Sequence, residues 1–162
     1  MKYFTKEWCF GYLTEKKIIT QKKSYDDYIA SIYPKLPFSL KILYEGINLH
    51  SGALMKISFD GNKHILILKG VFGDLQVGYF ILEIKYLKVQ NLHNEFLKDV
   101  FKNQRIEILS HEIEMLSEEH YSHRMIFNTR NEIEIIFSDM QLKIQNTTEE
   151  KYFKSNCKLD LI

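Results

Sequence analysis

The chain has 162 residues, enough for one well-buried core and short for two independent domains. Its 22 basic and 21 acidic side chains nearly cancel, and no clustered basic surplus of the kind a nucleic-acid binder carries stands out. Only two prolines and seven glycines interrupt it, whereas eleven Phe, ten Tyr and one Trp make it rich in rings, so low-complexity segments are not expected.

In chain order, a first helix is expected around Lys6–Glu15, weakened by Gly11. The pairs Lys16–Lys17 and Lys22–Lys23 read as a solvated loop. Ser24 with Asp27 three residues on is a helix N-cap pattern, and Tyr25, Tyr28, Ile29 and Ile32 follow at helical spacing. Pro34 stops that helix, because the residue before proline is pushed out of the α region. A further helix is expected from Pro37 to Gly46, with Leu36, Leu40, Leu43 and Ile47 as its apolar stripe.

From Ala53 the period changes from 3.6 to two. Ala53–Phe59 and His64–Lys69 flank Asp60-Gly-Asn-Lys63, a hairpin pattern whose turn residues tolerate positive φ. Gly70–Asp74 reads as a loop, and Val77–Val89 as a long strand with Phe80, Leu82, Ile84 and Tyr86 on one face. The other face is apolar only at Tyr79 and Ile81, which predicts cover from the N-terminal helices at that end. A short helix, capped by Asn91 or Asn94, suits Asn91–Lys102. Over Arg105–Leu116 the apolar parity switches between Ile106/Ile108 and Ile113/Met115, which predicts a bulge near Leu109–Ser110. Tyr121–Asn128 alternates with Tyr121, His123, Met125 and Phe127 on one face. After a turn at Thr129–Asn131, Ile133, Ile135 and Phe137 alternate, and Met140, Leu142 and Ile144 resume on opposite parity past a bend at Ser138–Asp139.

The resulting expectation is one α+β domain over residues 1–162. Residues 1–48 are a helical segment, 49–145 an antiparallel, meander-like sheet of six to seven strands, and 146–162 a tail. Burial of Phe59, Phe80, Phe127 and Phe137 is expected to dominate stability.

Chemistry is sparse. The densest group of possible ligands is His111, Glu112, Glu114, Glu118, Glu119, His120 and His123, but two-residue strand spacing turns Glu112 and Glu114 away from His111. His50 follows the helix-to-sheet junction, where it marks a possible polar site. Cys9 and Cys157 lack an adjacent His or a cationic setting, Ser51-Gly52 lacks the context of a nucleophile elbow, and Gly70–Gly73 is too short for a phosphate loop. Tyr25, Tyr28, Tyr33 and Tyr44 suit either a ring-filled core or an aromatic contact surface.

Three stretches, Met1–Trp8 with its Met-Lys-Tyr-Phe-Thr-Lys-Glu opening, the Leu49-His50 junction before the hairpin, and Glu132–Asp139, resemble a bacterial family of uncharacterised proteins built on a domain of unknown function. Members tend to carry Leu-His-Asp where this chain has Leu49-His50-Ser51, so a role needing a His–Asp pair is not implied here. The resemblance implies a fold more than an activity.

Two functions are therefore expected. One is a small cytoplasmic, non-catalytic protein-interaction, regulatory or immunity-type module, with an unknown protein partner, no catalytic residues, no cofactor, no nucleic acid and no membrane. It works through an aromatic surface or an open sheet edge. The other is a divalent-metal-binding protein or metal-dependent enzyme with ligands His50, Glu112 and His123.

Overall fold

A computed structural model describes residues 1–101 and 104–162. The protein is α+β, with two sheets where the sequence suggested one. Strands β1 (Ala53–Asp60), β2 (Ile65–Asp74), β3 (Gly78–Leu87), β7 (Asp139–Thr147) and β8 (Lys158–Leu161) form a five-stranded sheet in the order β7-β3-β2-β1-β8. Strands β4 (Ile108–Met115), β5 (Tyr121–Phe127) and β6 (Glu132–Phe137) form an antiparallel three-stranded sheet.

The expected bend at Ser138 is the corner between them. Ser138 alone separates β6 from β7, its N–H donates to Leu87 O at 3.1 Å, and the chain leaves one sheet for the other. The side-chain parity therefore restarts at Met140. A second junction joins the sheets where Leu54 N–H donates to Ile106 O (2.8 Å) and Ile108 N–H to Gly52 O (3.0 Å). Between the sheets, Tyr86 packs edge-on against Phe137 at 5.1 Å.

The β1–β2 hairpin forms as expected, but Asp60 Oδ1 closes its turn by accepting from Asn62 and Lys63 N–H, and the positive φ falls on His64 (55°). Gly70–Asp74 is part of β2 rather than a loop. Gly73 permits this continuation at φ 97°, where a Cβ would stand 2.1 Å from Gly78 O. The bulge near Leu109–Ser110 is present as a register shift between Ile108 and Ser110.

The first helix is shorter than expected and the second starts earlier. Helix α1 is only Lys6–Cys9, ended before Gly11 (φ 76°), and α2 runs from Glu15 to Ile32. Ser24 is thus interior, its hydroxyl donating to Thr20 O, and the lysine pairs are helical, with Lys22–Asp26 and Lys23–Asp27 bridged at 2.6 Å. A 3₁₀ turn follows at Tyr33–Lys35, and α3 spans Phe38–Gly46 with Pro37 as its N-cap. Leu36, Leu40, Leu43 and Ile47 are all buried. Helix α4 (Asn94–Val100) is capped by neither Asn91 nor Asn94 but begins after His93, and Lys102 of the expected segment lies outside the described residues.

The segment read as a tail is structured. Helix α5 covers Glu149–Phe153, and β8 adds to β1 in parallel, Lys56 opposite Lys158 through Phe59 opposite Leu161. The apolar end of β3 is covered by this C-terminal segment, with Tyr79 and Tyr152 rings 5.4 Å apart, rather than by the N-terminal helices. Of the four phenylalanines, Phe59, Phe127 and Phe137 are buried and Phe80 is half-buried. Among the described residues no helix is long and apolar enough to cross a membrane.

Candidate functional site

The three expected metal ligands do not converge. In the β4–β5 register Glu112 stands opposite Arg124 and Ile113 opposite His123, so Glu112 and His123 lie on opposite faces of the sheet. The Glu112 carboxylate, 1 % exposed, accepts backbone N–H from Lys2 (2.5 Å), Tyr3 (2.9 Å) and Phe4 (3.3 Å), with Arg124 Nη1 at 3.5 Å. It anchors the irregular N-terminal strap, whose backbone donors would otherwise be unpaired. His50 Nδ1 lies 2.6 Å from Leu109 O, and that carbonyl can only accept. Among the described residues no group of three or more His, Cys, Asp or Glu stands in metal-holding geometry.

What the fold does bring together is His111 and His123. They sit diagonally across the β4–β5 pair on one face, with His111 Nδ1 3.1 Å from His123 Nε2. His123 Nδ1 is 2.8 Å from the hydroxyl of Tyr86 on β3, which is fully buried. Burial pushes the Tyr86 phenol up, holds the His111 imidazole down to about 4, and keeps His123 well below the ordinary imidazole value, helped there by His111. Both imidazoles are neutral at pH 7.

His111 opens onto a cavity of about 620 Å³ at the helix-to-sheet junction, within the range of small-molecule sites. Phe4, Trp8, Tyr25 and Tyr44 supply its aromatic wall, and His50 stands at the same junction. Lys22 and Asp26, bridged to each other, lie at the rim. Leu109, Ser110 and His111 line it as three consecutive residues, an arrangement that the bulge makes possible because a regular strand would turn the middle one away. The strap pinned by Glu112 closes one side, with Phe4 packed edge-on against Trp8 at 4.9 Å. The indole Nε1–H of Trp8 is buried without an acceptor among the described residues.

Tyrosine hydroxyls also close the outer edge of β4. Tyr25 Oη accepts from Ile113 N–H at 2.8 Å and Tyr28 Oη from Met115 N–H at 3.0 Å, so α2 occupies an edge that a partner strand would use. Two of the four tyrosines expected on the helices, Tyr25 and Tyr28, thus have a structural role.

Two larger clefts lack such a wall. The one of about 820 Å³ between α5, β8 and the sheet is lined by Lys56, Lys69, Lys151, Lys154 and Lys158, and three of these are already paired, with Asp160, Glu83 and Glu150. The one of about 720 Å³ follows the Val89–Glu95 segment, in which Val89 and Leu92 are buried and the other residues exposed. Neither cysteine is activated: burial raises the Cys9 thiol to about 11 and the Cys157 thiol to about 12.

No protein-family model, curated protein or solved structure matches the chain. Sequence reasoning marked His50 as part of a junction site, placed His111 and His123 each on a face and gave Tyr25 and Tyr44 as rings of a core or a contact surface, but it missed Trp8 and Tyr86 as parts of the site. A parity switch at Leu109–Ser110 was the one signal beside the cavity.

Proposed function

We propose that this chain is a non-catalytic regulatory or interaction module that works by holding a small ligand in the cavity between the N-terminal strap, α2 and the β4 bulge. The observation that carries this reading is the wall itself: four aromatic rings and a neutral imidazole around about 620 Å³. Ser110 in that wall has no hydrogen-bonded base among the described residues, and the thiols are held protonated, which favours binding over nucleophilic chemistry.

Contact with a protein partner is the second half of the proposal. The outer edge of β7 suits it, because β7 has one strand neighbour and Lys143–Asn146 are exposed, whereas the β4 edge is taken by Tyr25 and Tyr28.

Trp8 is the chain's only tryptophan, so its emission reports the cavity. A screen of one- and two-ring aromatic fragments should find compounds that change Trp8 emission saturably in the wild type and lose that effect in Tyr44→Ala. A screen in which no fragment does so rejects the reading.

A further inference from the structure

The cavity asks for a particular ligand chemistry, and the reason lies behind its wall. Tyr86 is enclosed, and His123 Nδ1 is the one partner of its hydroxyl among the described residues. A buried O–H left without an acceptor is costly, so this proton is donated to His123 Nδ1. The opposite polarity, with His123 donating to Tyr86, would strand that O–H with no acceptor.

The rest follows from the chemistry of neutral imidazole, which carries one N–H and one bare nitrogen. With Nδ1 accepting, His123 holds its hydrogen on Nε2 and donates it to His111 Nδ1 at 3.1 Å. His111, its Nδ1 accepting, then holds its own hydrogen on Nε2. That nitrogen has no partner among the described residues, is not among the buried unpaired atoms, and belongs to a residue lining the cavity. The chain Tyr86→His123→His111 therefore delivers a fixed N–H donor to the cavity from a phenol that does not line it.

We infer that the ligand is a small planar aromatic molecule bearing a hydrogen-bond acceptor, a carboxylate or carbonyl oxygen, that binds His111 Nε2–H while its ring packs among Trp8, Tyr25 and Tyr44. This rests on the cavity being the ligand site. Tyr86 and His123 are positioning residues in it, since they set the tautomer and do not touch the ligand. A cationic group at the same place meets a donor that cannot turn into an acceptor without breaking the chain.

Two measurements test the inference separately from the binding reading. Long-range ¹H–¹⁵N spectra of the ligand-free protein at pH 7 should show His111 and His123 both as the Nε2–H tautomer, and Tyr86→Phe should release His111 into a mixture. An Nδ1–H tautomer at His111 in the wild type overturns the inference, whatever binds. Trp8 emission is then titrated with benzoate, benzamide and benzylamine. Benzoate and benzamide should act saturably, benzylamine should not, and Tyr86→Phe should weaken the first two about twofold, the factor expected when about half of His111 holds the donor tautomer. Equal response to all three probes, or to none, contradicts the acceptor requirement, while the fragment screen separately decides whether the cavity binds at all.

Discussion

Glu112→Gln tests how much of the architecture hangs on one carboxylate. Glu112 is 1 % exposed and takes three backbone N–H groups of the strap, from Lys2, Tyr3 and Phe4. Oε2 takes both Tyr3 and Phe4 N–H and Oε1 takes Lys2 N–H, so a glutamine carbonyl at the Oε2 position keeps two of these bonds, uncharged, while its NH₂ faces the Lys2 donor it cannot satisfy. Losing the Lys2 bond, at about 1.5 kcal/mol, and turning the other two from charge-assisted into neutral bonds, at about 0.75 kcal/mol each, predicts destabilisation by about 3 kcal/mol. Arg124 retains Glu114 (2.7 Å) and Glu134 (2.6 Å), so the variant does not strand a buried cation. Urea unfolding should show a lower midpoint at unchanged slope, and Trp8 emission should move to longer wavelength as Phe4 loosens against it. A loss below about 1 kcal/mol would refute the strap as an anchored element.

Acid should destabilise the protein through its histidine pair. The folded pKa of His111, about 4, lies below its ordinary 6.5, so the unfolded chain binds more protons between those values; the contribution is full above pH 6.5 and is lost as pH falls toward 4. His111 faces His123 and the rim pair Lys22–Asp26, and the neighbouring Glu112 charge offsets part of the shift, leaving about 3 kcal/mol to be read from unfolding midpoints at pH 7.5, 6 and 4.5. A flat profile contradicts the burial argument. Phe127→Ala and Phe137→Ala should each cost about 3–5 kcal/mol, and half-buried Phe80→Ala clearly less; similar costs for all three would mean the core is misplaced. Tyr25→Phe strips the acceptor from Ile113 N–H and should cost about 1–3 kcal/mol, with faster amide exchange at Ile113 as the diagnostic.

Much of the local structure was legible because side-chain parity is a local signal. The break at Leu109–Ser110 and the restart at Met140 both showed in the alternation of apolar residues. Neither could say where the chain goes next, and at Ser138 it changes sheets, a matter of long-range pairing. Residues Glu15–Ser24 gave no helical stripe because they are largely exposed, held by propensity and i,i+4 pairs instead of a buried face. The strand Lys158–Leu161 was hidden by its length, four residues whose partner β1 lies a hundred positions earlier. At the site, the faces of His111 and His123 were each readable, but their contact depends on the β4–β5 register, and the role of Tyr86 depends on how the two sheets pack.

Amide chemical-shift mapping during a benzoate titration of the full chain tests the central claim most directly. The account predicts perturbations centred on Trp8, Tyr44, Asn48–His50 and Leu109–His111, saturating together. Shifts confined to the lysine-lined cleft at Lys151–Lys158, or none at all, would contradict it.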